Sequence, residues 1–225
     1  MQINRTATVI FGVAMAASTQ AFAQADIDFV LREVSASAGN TLDSADGNTP
    51  GLFNSQVLLG GNPPLAPSAF ASQASQVTPA FLGGTGNTEA HGGPVDPALD
   101  ALSIYRVDFT ITQLTGFTLA GLLTSSTEGA FGFASFSLTG PGTNLYFESI
   151  TDDPSTAIVP FADFGVLPIG SYSLLVLSTA DSVGDTGGTD ALSSFQFDLN
   201  LAVPEPSGLI LLAGAVAGGL LRRRR

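Results

Sequence analysis

The sequence predicts an all-β body, an antiparallel β-sandwich or jelly roll of seven to nine strands. A signal peptide precedes it and a C-terminal transmembrane helix follows it. Three observations carry this. Short runs along the chain alternate apolar and polar side chains, the period of a strand with one buried face. Clusters of Gly, Pro, Asn and Asp separate those runs and supply turn chemistry. Between the two ends, no ten-residue run shows the 3.6-residue period of an amphipathic helix.

Residues 1–23 have the order of parts of a secretory signal peptide. Arg5 supplies the positive n-region, and Ala7 to Ala17 is an apolar stretch too short to span a bilayer. Ala21-Phe22-Ala23 fits the small-x-small cleavage rule, so Ala21 and Ala23 mark the expected site, with Ala23-Gln24-Ala25 as the rival.

The body is expected over residues 24–202. In Asp26 to Val34, Ile27, Phe29 and Leu31 alternate with Asp28 and Arg32, which predicts a strand with the apolar set inward. Residues 35–102 turn rich in Ser, Ala, Gly, Asn and Pro, with Gly-Gly at 60–61, 83–84 and 92–93. Only 56–59 and 80–82 look strand-like there. The expectation is a loop-rich, mobile or inserted segment with one or two short strands. Ser103 to Gln113 is the sharpest strand, with Tyr105, Val107, Phe109 and Ile111 on one face. Thr115 to Leu123, Gly129 to Thr139 and Asn144 to Ile150 follow, with a turn at Gly140-Pro141-Gly142. Asp152-Asp153-Pro154 breaks the chain, and Leu167-Pro168-Ile169-Gly170 turns it into Ser171 to Thr179. The last strand is Ser194 to Leu201, with Phe195, Phe197, Leu199 and Leu201 inward. The 16 Phe are expected as core material.

Charge limits the partners. The chain has seven basic residues, all Arg, and four of them are the last four. Residues 24–204 therefore hold two Arg, Arg32 and Arg106, against 18 acidic groups, a net of −16. That excludes nucleic acid, whose binding rests on cations that displace phosphate counterions. It favours cations or neutral sugars. The absence of Cys and Lys excludes thiolate zinc sites, disulfides, Schiff-base lysines and P-loops.

Catalytic chemistry finds little support, and neither a catalytic residue nor a cofactor is predicted. His91, the single histidine, lies in Glu89-Ala90-His91-Gly92-Gly93-Pro94 and is expected on an exposed loop. No G-x-S-x-G elbow accompanies it. The carboxylates offer no spacing that singles out a glycosidase pair. Calcium, which takes carboxylate and carbonyl oxygens, is the one metal with candidates. Asp43 to Asn48 fails as an EF-hand, because Leu42 and Phe53 fall at ligand positions. Asp181, Asp185 and Asp190, within one acidic turn, remain. Tyr105, Tyr146 and Tyr172 fit core faces as well as they fit sugar platforms.

Ser207 to Leu221 is an uncharged, mostly apolar run; as a helix it is about 22 Å long, and flanking arginines can snorkel to complete a span. Arg222, Arg223, Arg224 and Arg225 follow and hold the C-terminus cytoplasmic by the positive-inside rule. Val203-Pro204-Glu205-Pro206 precedes it as a stiff, protease-accessible stretch. Together, residues 203–225 resemble the PEP-CTERM sorting signal of exported proteins of Gram-negative bacteria. The passage from Leu167 to Leu174 is also similar to one near the end of other PEP-CTERM ectodomains. The resemblance implies export, anchoring in the inner membrane with the body outside, and processing by an exosortase. The cell surface or extracellular matrix is then the destination, in hosts that make exopolysaccharide. The function expected is a structural or adhesive role in exopolysaccharide or biofilm matrix. The alternative is a carbohydrate- or calcium-binding module in that matrix.

Overall fold

The computed structural model describes residues 25–60, 67–92, 98–128, 130–141, 143–151, 157–182 and 189–202. All regular structure among them is β-strand. The strands are β1 (Asp26–Ala38), β2 (Thr41–Gly47), β3 (Gly51–Gly60), β4 (Ser68–Thr78), β5 (Phe81–Gly92), β6 (Leu99–Ile111), β7 (Thr115–Glu128), β8 (Phe131–Gly140), β9 (Thr143–Thr151), β10 (Ala157–Leu167), β11 (Gly170–Ser182) and β12 (Thr189–Ala202). They form two antiparallel six-stranded sheets packed as a sandwich. Sheet one runs β2-β1-β6-β11-β8-β9, and sheet two runs β10-β7-β12-β5-β4-β3.

The pairing is nested. β8 pairs with β9, β7 with β10, β6 with β11, and β5 with β12. Residues 81–202 are thus one long hairpin, bent so that its successive segments pass back and forth between the sheets. β1 adds to β6 and β4 adds to β5, which leaves β2 and β3 as outer edges. Both ends of the described chain meet at one turn. The Ala25 amide donates to the Pro79 carbonyl at 2.9 Å, and the Leu201 amide donates to the Ala80 carbonyl at 2.9 Å. This end of the sandwich is called the base below.

The inward rows carry the core. Tyr105, Val107, Phe109 and Ile111 of β6 are buried, as are Tyr172, Leu174 and Val176 of β11 and Phe195, Phe197, Leu199 and Leu201 of β12. All three rows match the alternation in the sequence. Phe136 of β8 joins the sheets, packing against Phe197 at 5.6 Å and Phe161 at 4.9 Å between ring centroids.

Four expectations are corrected. A β-bulge between Ile27 and Phe29 shifts the register of β1, so Phe29 points outward while Val30, Arg32 and Val34 are buried. Residues 35–102, expected as loop-rich with one or two short strands at 56–59 and 80–82, hold all of β2, β3, β4 and β5 and the start of β6, and the strand count among the described residues is twelve. Their inward rows are mostly small residues, Ala69, Ala71 and Ser75 in β4 and Gly84, Gly86, Thr88 and Ala90 in β5, with Gln73, Val77 and Leu82 among them. A Cβ on Gly86 would lie 2.4 Å from the Phe195 ring, so this glycine is a close-packing position inside a strand. β10 was not foreseen, since Pro160 interrupts its run; at a sheet edge proline is tolerated. Phenylalanine is not uniformly core: Phe29, Phe131, Phe147 and Phe164 are exposed.

Candidate functional site

The residues of the two terminal signals lie outside the described residues. These are Ala21 and Ala23 at the cleavage site, and Val203, Pro204, Glu205, Pro206 and Arg222 to Arg225 in the sorting signal. Asp185 lies outside them as well. The other two calcium candidates stand on different sheets with different partners. Asp190 of β12 faces the His91 Nδ1 at 3.1 Å. Asp181 of β11 lies directly across from Asp100 of β6 and shares a hydrogen bond with it. Among the described residues, no three His, Cys, Asp or Glu side chains converge so as to hold a metal ion.

His91 is not on an exposed loop. It is 7% exposed on β5, where the cross-strand register sets it opposite Asp190, with Glu89 Oε2 3.4 Å from its Nε2. Asn87 donates to Glu89 at 2.7 Å and fixes that carboxylate. The histidine is clamped between two carboxylates, and both ring nitrogens can donate at once only as the imidazolium.

The Asp100–Asp181 pair lies on the outer face of sheet one. Burial, then the Asp100 charge and the hydrogen bond to it, push the Asp181 carboxyl above its usual 3.8. Two carboxyls in direct hydrogen-bond contact leave no gap for the glycosidic oxygen or water that a hydrolytic pair flanks. The raised value has a sign. Its contribution to stability is full below the ordinary carboxylate range and is lost as pH rises through the raised value. Asp181→Asn should therefore raise Tm at pH 7, by roughly 1–2 °C for a half-buried, partly screened repulsion. The gain should disappear near pH 3, and thermal melts of both forms across that range check it.

Both arginines of the body are engaged. Arg32 is 1% exposed. Its Nη1 donates to the Gly51 carbonyl at 2.9 Å, its Nη2 to the Thr49 carbonyl, and its Nε to the Gly47 carbonyl at 3.5 Å. The guanidinium sits 5.1 Å from the centroid of Phe53. Burial lowers its pKa and the nearby Tyr105 opposes that. Arg106 forms a two-point pair with Asp108, at 2.9 and 3.2 Å. An anionic ligand thus meets no unpaired arginine among the described residues.

A groove of about 400 Å³ lies on the outer face of sheet two, crossing β3, β4, β5 and β12. Asn54, Gln76 and Gln196 present amides there, Asp198 a carboxylate, and Phe81 and Leu52 apolar walls. Gly83 makes the shape possible: a Cβ there would lie 2.5 Å from the Phe81 ring and 2.9 Å from Asp198 Oδ1. Planar amides, one carboxylate and an aromatic ring over a small-residue floor can hydrogen-bond hydroxyl groups and stack on an apolar face. The sequence carries no local signal for this groove, because its residues come from four strands and three of those lie in the stretch expected as loop.

No family model and no curated protein sequence matches the chain. Two solved structures of infectious bursal disease virus align with it. The Gx-strain structure covers 83% of this chain and 68% of its own at 11% identity, with a TM-score of 0.23. The Gt-strain structure covers 83% and 67% at 12% identity, with a TM-score of 0.22.

Proposed function

We propose that this chain is an exported, exosortase-processed surface or matrix protein with a structural or adhesive role in exopolysaccharide or biofilm. Its body is a jelly roll extended by four N-terminal strands. The inner membrane holds it before processing. The observation that carries the reading is that both ends of the body leave from the base, pinned to the Pro79–Ala80 turn. A tether at one end presents the opposite end and both sheet faces outward. The sorting motif after Ala202 supplies that tether. Fractionation of producing cells tests it. The precursor should sediment with membranes and a shorter product should appear outside. Glu205→Ala with Pro206→Ala should leave the precursor in the membrane. Release of unshortened chain would sink the proposal.

The groove on sheet two favours a second reading, a carbohydrate-binding module. The body, residues 24–206, is titrated with the producing strain's exopolysaccharide, with calcium and then with chelator. Saturable binding weakened about tenfold by Gln196→Ala with Asp198→Ala, as the loss of two buried hydrogen bonds predicts, would favour this module. Binding abolished by chelator alone would point to calcium. No binding leaves the structural role.

A further inference from the structure

The turns at the base differ in chemistry from those at the other end. The base carries turns 48–50, 79–80, 112–114 and 168–169, and the turn that begins at Pro141. None of them contains a charged residue. Leu114 is 57% exposed in one and Ile169 is 67% exposed in another. Beside them the end of β10 presents Phe164, 82% exposed, and Val166, 51% exposed. At the opposite end the connecting segments carry Asp96, Asp152, Asp153 and Asp185 in sequence; the strand ends themselves bring acids to both ends, Asp100, Asp181, Glu89 and Asp190 there and Asp26, Asp28 and Asp108 near the base, so the difference lies in the turns. In a body with a net of −16, the base turns are free of acidic groups.

The chain leaves the body at this same end. Ala202 borders a hollow of about 320 Å³ formed with Phe164, Gly116, Thr118 and Asn200. Four residues, 203–206, separate it from the apolar run at Ser207. Fully extended, they reach about 13 Å. With the apolar run in the bilayer, that reach keeps the base at the level of the headgroups, where apolar side chains gain from partial burial. The acidic end would be repelled from anionic lipid.

We propose that the base is a membrane-docking surface, in which Leu114, Ile169, Phe164 and Val166 rest in the lipid interface of the bilayer that holds the C-terminal segment. The inference rests on the anchored state proposed above. It adds a fixed orientation: the body stands on its base, with the strands rising from the membrane and the acidic end outermost. Docking also places the Pro-Glu-Pro stretch at the membrane surface, where a membrane-embedded processing enzyme reaches it.

The chain contains no Trp, so an introduced one is the sole indole reporter. The exported chain with residues 207–225 retained is reconstituted into phosphatidylcholine vesicles with or without brominated acyl chains. Four variants are compared: Leu114→Trp and Ile169→Trp at the base, Phe131→Trp at the opposite end, and Leu211→Trp in the apolar run. Docking predicts blue-shifted emission and quenching at Leu114→Trp and Ile169→Trp at least about threefold that of Phe131→Trp. Equal, weak quenching at all three body positions overturns docking, whatever Leu211→Trp shows. Quenching at Leu211→Trp judges the anchor separately. If it is absent while the base positions are quenched, the base binds lipid and the anchored reading fails.

Discussion

Arg32→Met should lower stability by about 2–4 kcal/mol, a fall in Tm of roughly 5–15 °C for a body of this length. The methylene stem is replaced nearly atom for atom, so the loss isolates the guanidinium. Its fork draws the Gly47, Thr49 and Gly51 carbonyls onto β1, and its face packs on Phe53. Without it the turn between β2 and β3 must lift toward water to satisfy those oxygens, and it carries Phe53 with it. Arg32→Lys keeps the charge but loses the fork, and should fall between the two. Arg106→Met is the control. It removes the same charge from an exposed pair with Asp108 and should cost no more than about 0.5 kcal/mol. Urea unfolding of the four proteins decides between them. Equal losses at Arg32 and Arg106 would mean that net charge, not the buried fork, sets the effect. Amide exchange should quicken at 47–53 in Arg32→Met and remain unchanged in β11 and β12.

This arginine also shows where the sequence stops being legible. Alternation places Arg32 on the solvent face with Asp28, and a single bulge at Ile27/Phe29 puts it inside. A bulge inserts one residue, leaves no strong compositional mark, and turns every later side chain to the other face. β6, β11 and β12 were legible because large apolar residues fill one face and polar ones the other. β4 and β5 were not, because apart from Val77 and Leu82 at the base their inward rows are Ala, Ser, Gly, Gln and Thr, residues that also make loops. Gly83-Gly84 reads as a turn; in the sandwich these positions accept Phe81, Asp198 and Ser75 at distances that exclude a side chain. The groove on sheet two draws on β3, β4 and β5, so it was as hidden as those strands. The resemblance of residues 203–225 to a sorting signal is of another kind: it rests on local composition and order of parts, and needs no fold.

Phe136→Ala should be the most damaging core change, costing about 3–5 kcal/mol and roughly 10 °C or more of Tm. The ring is fully buried on β8 and touches three others: Tyr146 of β9 at 5.9 Å, Phe161 of β10 at 4.9 Å and Phe197 of β12 at 5.6 Å between centroids. Phe197 in turn meets Tyr105 edge-on at 4.9 Å. One side chain thus joins β8 and β9 of sheet one to β10 and β12 of sheet two. Collapse into the void is restricted, because Phe161 already lies over Gly121 of β7, where a Cβ would be 2.1 Å from its Cζ. Phe136→Leu refills most of the volume and should lose about half as much. Gly121→Ala pushes on the same stack from the other side, so the double variant with Phe136→Ala should cost less than the sum of the singles, the ring moving into the space left by Phe136. Strict additivity in chemical denaturation would show that the two positions are independent, and that the aromatic cluster does not act as one unit between the sheets.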